Sequence, residues 1–135
     1  MFDVAAFNAS LPPFSKLLGI ELTVVGHERI VGQMLVRPEF DNKSQVMHGG
    51  AIMAFADTLG AMGAVANLKP GEHTTTLESK TNFITYAPVG QIVIGESTPL
   101  HRGRATQVWQ TRITRPDGRL VAQVTQTQMV LTKRD

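Results

Sequence analysis

His48-Gly49-Gly50-Ala51-Ile52-Met53-Ala54-Phe55-Ala56-Asp57-Thr58-Leu59-Gly60-Ala61-Met62-Gly63-Ala64-Val65-Ala66-Asn67 is the stretch that decides the fold. From Gly49 to Ala66 every residue is glycine, alanine, an apolar side chain or threonine, except Asp57. The run is predicted to form one long helix, stopped by Lys69-Pro70-Gly71. Because it is apolar nearly all round, it must be buried on most sides rather than laid on a surface. Gly60, Gly63 and six alanines keep it thin, so a sheet or another backbone can come close. Its length approaches that of a membrane span, but its small residues, its central carboxylate and the lack of flanking basic anchors argue against one.

On the N-terminal side, Val4 to Leu18 reads as short helical pieces around Pro12-Pro13. Ile20–Val25 and Arg29–Arg37 read as a hairpin turning at Gly26-His27-Glu28 and ended by Pro38. Glu39–Met47 is a polar loop. On the C-terminal side, Thr74–Tyr86, Gln91–His101, Arg104–Arg115 and Leu120–Leu131 are strand candidates rich in Thr, Val and Ile. Ala87-Pro88-Val89-Gly90 and Pro116-Asp117-Gly118 supply turns between them. Two strands, one buried helix and four strands make an α+β domain spanning residues 1–135, with no repeat or linker. One sheet covers only part of a helix that is apolar all round, so a second copy of the chain is expected against the remainder.

The chain has 135 residues, 42% of them hydrophobic and 18% charged, which is an ordinary globular composition. A net charge of +2 from scattered basic residues argues against a nucleic-acid partner. The absence of cysteine removes disulfides, Cys nucleophiles and thiolate metal sites together. With no secretory signal in the opening MFDVAAFNASLPPF, a cytoplasmic location is expected. There is no nucleophile elbow, P-loop, dinucleotide fingerprint or H-E-x-x-H, and the four histidines lack metal-ligand spacing.

Asp57 is therefore the first candidate for chemistry. A buried structural Asp would pair with a base or cap a backbone group, but no basic residue stands at i±3 or i±4. A carboxylate in an apolar pocket suits a general base or a nucleophile. His48-Gly49-Gly50 is the second candidate, because a helix start offers free N–H groups that can polarise a carbonyl. Gly49 and Asp57 are eight residues apart, about 12 Å along a helix. One helix cannot apply both to one carbonyl, whereas two antiparallel helices across a two-fold axis can. Asn42 is either a turn residue or a second amide donor. His101-Arg102-Gly103-Arg104 is either a solvated bulge or a grip on a phosphate. Among Thr74, Thr75, Thr76 and Ser79, one hydroxyl could position a water.

The stretch from Val46 to Thr58 resembles the H-G-G-x(6)-D/E signature of hotdog-fold acyl-CoA thioesterases. The closest likeness is to the PaaI-like group and the related hydroxybenzoyl-CoA thioesterases. The likeness extends over nearly the whole chain, through PEFDN before the motif, TLESKTNF after it, the H-R-G-R turn and the final R-x-D-G-R-L-V-A hairpin. The resemblance implies a hotdog fold, a homodimer that often pairs into a homotetramer, and hydrolysis of an acyl-CoA, which is substrate rather than cofactor. It implies no cofactor, no metal, and no nucleic-acid or membrane partner. It assigns Asp57 as catalytic carboxylate, Gly49 as the N–H donor, and Asn42 and His48 as groups that shape the site. Thr75 falls roughly where relatives carry a water-assisting hydroxyl. Gly50, Arg102, Gly103 and Arg104 are the candidates for holding CoA. Two rival readings stay open: a non-catalytic acyl-CoA-binding module on the same fold, and a hotdog dehydratase.

Overall fold

The computed structural model describes residues 2–133. Two short helices, α1 (Val4–Ala9) and α2 (Pro13–Leu17), precede the strand pair β1 (Glu21–Val25) and β2 (Ile30–Leu35). Pro38–Phe40 forms a single 3-10 turn, and α3 runs over Gly49–Val65. Four strands follow: β3 (Glu72–Phe83), β4 (Ile92–Arg102), β5 (Thr106–Thr114) and β6 (Leu120–Thr132). The α+β architecture expected from the sequence is the observed one, with element ends displaced by a few residues. All strands join one antiparallel sheet in the order β1-β2-β4-β5-β6-β3. That sheet curls around α3, the arrangement of a hotdog fold.

The core lies between α3 and the concave face of the sheet. Phe55 and Leu59 of the helix, with Ile30, Val93, Ile113, Val121 and Val124 of the strands, are fully buried. Each such side chain contributes roughly 1.5–3 kcal/mol. The thinness of the helix has a specific use. A Cβ on Gly63 would lie 2.6 Å from the buried Trp109 ring, and one on Gly60 would lie 2.3 Å from the Gln126 amide. The sheet thus packs two large β5 and β6 side chains directly onto helix backbone.

Two surfaces stay uncovered side by side. β3 pairs only with β6, so one edge of a 12-residue strand is free. On α3, Gly50, Met53, Ala54, Asp57, Ala61 and Val65 recur at helical spacing and are half-buried or exposed, Met53 by 38% and Val65 by 37%. No helix among the described residues is long and apolar enough to cross a membrane.

Candidate active site

The start of α3 is built by His48. Its backbone sits at φ −60, ψ 137, outside the helix, and its ring Nδ1 accepts the Gly50 N–H at 2.8 Å. The ring therefore caps the helix as an Asn or Ser side chain would. The Ala51 and Ile52 N–H groups both donate to the His48 carbonyl, at 2.9 and 3.2 Å. Among the described hydrogen bonds none uses the Gly49 N–H, which leaves it as the free donor of the first turn. Gly50, a candidate for holding CoA, has its N–H committed to His48.

Gly49 opens into an apolar cleft of about 400 Å³ whose walls include Asn42, Val46, Ile52, Phe83 and Tyr86. Asn42 accepts the Ser44 N–H through Oδ1 at 2.9 Å. It is thus both the turn residue and a wall of the cleft. Lys43 (φ 78) and Gln45 (φ 62) hold this loop in the left-handed region, which non-glycine residues adopt at a cost.

Asp57 lies elsewhere, in a smaller cavity of about 170 Å³ walled by Phe14 and Ser15 of α2 and by Ala54, Thr58, Ala61 and Met62 of α3. Its Oδ1 accepts from Thr76 Oγ1 at 2.8 Å and from Gln126 Nε2 at 3.1 Å. Its partners are neutral donors, and no described ion pair includes it. The hydroxyl beside the carboxylate is Thr76, not the Thr75 expected from the sequence. Side chains alternate along a strand, and Thr75 is exposed while Thr74 and Thr76 turn inward. Gln126 and Gln128, missed in the sequence, complete the cluster. Gln128 Nε2 donates to Thr76 Oγ1 at 2.7 Å.

The basic region divides. Arg102 forms an ion pair with Glu28 and donates to the His27 carbonyl and to Asn67 Oδ1, at 3.3 and 3.2 Å. It straps the β1–β2 turn to the end of α3 and is largely occupied. Arg104 and Lys69 have no described partner for their side chains, and with Gly103, Asn67 and Arg102 they line a polar cleft of about 440 Å³. At the far end of the molecule Arg115 binds Asp117 and donates to the Tyr86 carbonyl, bracing one wall of the Gly49 cleft. Hydrogen bonding to Arg115, then to the Arg119 backbone N–H, pulls the Asp117 carboxyl from 3.8 to about 2.

Comparisons with known proteins identify the family and the fold. Residues 44–122 match the model of the Thioesterase superfamily. The chain is 33% identical over 115 residues to the proofreading thioesterase EntH of Cronobacter turicensis, covering 84% of this chain and 83% of that one. It is 28% identical over 99 residues to the 1,4-dihydroxy-2-naphthoyl-CoA hydrolase of Listeria monocytogenes, covering 73% and 80%. The crystal structure of thioesterase HI1161 from Haemophilus influenzae superposes with a TM-score of 0.91 at 27% identity, covering 98% of this chain and 92% of that one.

Proposed function

The chain belongs to the thioesterase superfamily, and from that premise we propose that it hydrolyses acyl-CoA thioesters to free acid and CoA at a site shared by two copies of the chain. The observation that carries this reading is a separation. Gly49, with its free N–H, and Asp57 line different cavities of one protomer. They are about 12 Å apart along the same helix. Neither cavity alone holds both a donor for the carbonyl oxygen and a base for the water.

A homodimer brings the two together. The free β3 edge and the uncovered stripe of α3 are adjacent, and an open edge strand is a natural template for pairing with another chain. Pairing β3 edges across a two-fold axis sets the α3 helices antiparallel, Asp57 of one protomer beside Gly49 of its partner. Leu35, Ile92 and Ile94, exposed on the outer sheet face, suit a further pairing of dimers into a tetramer.

In that site the Gly49 N–H takes the thioester oxygen. Asp57 accepts a proton from water as the water oxygen attacks the carbonyl carbon. The developing oxyanion is held by the N–H, the C–S bond breaks, and the thiolate recovers the proton. Direct attack by Asp57, giving an anhydride that water then cleaves, uses the same groups. Acyl-CoA is the substrate class best supported, by the Listeria relative's name as a CoA-ester hydrolase and by Arg104 and Lys69, which have no side-chain partner among the described residues and suit phosphates. No cofactor takes part in this chemistry.

The test is thiol release from a panel of aromatic, short-chain and long-chain CoA esters. Asp57→Asn and Asp57→Ala are expected to lose at least ~10²-fold in rate. Undiminished hydrolysis in both would refute the assignment. Tight CoA-ester binding by the wild-type chain without turnover would favour a binding module instead.

A further inference from the structure

The buried face of β6 carries two glutamines where alternation calls for apolar residues. Val124 is fully buried, as are Gln126 (1% exposed) and Gln128 (0% exposed) two and four residues on. A buried amide without hydrogen bonds is costly, so their partners indicate why they are there. Both N–H bonds of Gln126 are directed at Asp57: one at Oδ1, 3.1 Å, and one at its backbone carbonyl, 3.3 Å. An ionised carboxylate only accepts, which fixes the orientation of the amide. Oε1 is left buried without a donor among the described residues, against the bare Cα of Gly60.

Gln128 acts one step further out. Its Nε2 donates to Thr76 Oγ1, and the Thr74 hydroxyl nearby has two acceptors in reach, Gln128 Oε1 at 3.1 Å and the Met129 carbonyl at 2.9 Å. Since Thr76 receives a hydrogen bond from Gln128, its single hydroxyl proton is free to point at Asp57. The chain Gln128, Thr76, Asp57 therefore has one direction, each donor facing the carboxylate. Oδ2 has no described hydrogen-bond partner, and Asp57 lines the small cavity beside α2.

From this geometry we infer that Gln126 and Thr76 are positioning residues that clamp Oδ1 of Asp57 and present Oδ2 alone to the reacting atoms, with Gln128 orienting the Thr76 hydroxyl. The inference rests on Asp57 being the catalytic carboxylate. It goes beyond that reading by assigning which oxygen reacts and what holds it. Gly60 belongs to the device, because any Cβ there would occupy the place of the Gln126 amide.

The test compares steady-state kinetics of the full chain on one acyl-CoA for Gln126→Met, Thr76→Val, Thr76→Ser, Gly60→Ala and Asp57→Asn. Gln126→Met and Thr76→Val remove donors at nearly constant volume. Each is expected to lower kcat about 10- to 100-fold, the scale of a hydrogen bond to a charged group, with KM within about threefold, in protein that is still fully folded at the assay temperature. Thr76→Ser keeps the donor and is expected to restore most of kcat. Gly60→Ala displaces the amide from a different residue and is expected to reproduce Gln126→Met. Loss in Asp57→Asn with kcat retained in Gln126→Met and Thr76→Val would overturn the clamp and leave the thioesterase reading intact. Loss of activity only in step with loss of folded protein would also overturn it. Retained activity in Asp57→Asn would instead remove the premise.

Discussion

Replacing Gly49 by proline isolates the proposed carbonyl donor, because the structure is already compatible with proline there. Gly49 is the first residue of α3, where an N–H has no intrahelical partner and proline is tolerated. The preceding residue must be extended, and His48 at φ −60, ψ 137 is. No described hydrogen bond is lost, since the Gly49 N–H makes none among the described residues. What disappears is the N–H of a residue that lines the cleft. No neighbour can replace it: the Gly50 and Ala51 N–H groups are held by His48 at 2.8 and 2.9 Å. Removal of a lone oxyanion donor costs about 10²–10³-fold in kcat, or about 2.7–4 kcal/mol. The added ring carbons also enter the cleft, where a Cβ would approach Phe83 to 3.2 Å. Gly49→Ala controls for this, because it adds the Cβ and keeps the N–H. Thiol-release assays on a saturating acyl-CoA are expected to show Gly49→Ala reduced by a few-fold at most and Gly49→Pro by a further ~10²-fold, at equal thermal stability. A kcat for Gly49→Pro within threefold of Gly49→Ala would refute the role given to this N–H.

The remaining predictions concern the frame of the site. Gly63→Ala drives a Cβ to 2.6 Å from the Trp109 ring, which is fully buried and tied through Nε1 to Gln107 Oε1 at 2.9 Å. Overpacking there is expected to cost about 1–3 kcal/mol in urea unfolding, despite the better helix propensity of alanine. His48→Ala removes the cap acceptor and is expected to cost about 1 kcal/mol by the same measurement. The Asp117 carboxyl titrates near 2 when folded and near 3.8 when free, so its ion pair adds stability above pH 4 that is lost as pH falls towards 2. The melting temperature of Asp117→Asn is therefore expected to lie below wild type at pH 7, the gap closing between pH 4 and 2. A gap independent of pH would contradict that assignment.

The helix was legible because an apolar run of that length has few other uses, and the strands because their composition and turns recur. Strand order was not. β3 leaves α3 and crosses to the far edge beside β6, a non-local pairing that no local pattern specifies. Asp57 and Gly49 stood out by chemistry alone, one charge in an apolar run and one bare helix start. Thr75 was displaced by one residue because a strand reverses faces at each step. A bulge between Thr76 and Glu78 then resets the alternation. Gln126 and Gln128 did leave a signal, two amides in phase with Val124, but it is visible only once the inward face of β6 is known. The commitment of Arg102 to Glu28 joins residues 74 apart and could not be read locally. His48 as a cap was hidden because histidine seldom serves as one.

The central claim is that each site takes Asp57 from one protomer and Gly49 from its partner, and one experiment addresses it directly. Chains carrying Asp57→Asn and Gly49→Pro, each with its own affinity tag, are co-expressed and assayed for acyl-CoA hydrolysis beside the two separate variants. Random pairing puts both mutations in one of the two sites of each mixed dimer and leaves the other intact. With half the dimers mixed, activity is expected to return to about a quarter of wild type, and to about half in mixed dimers purified through both tags. A site complete within one chain would leave every site with one defect. Mixed dimers no more active than either parent would contradict the shared site.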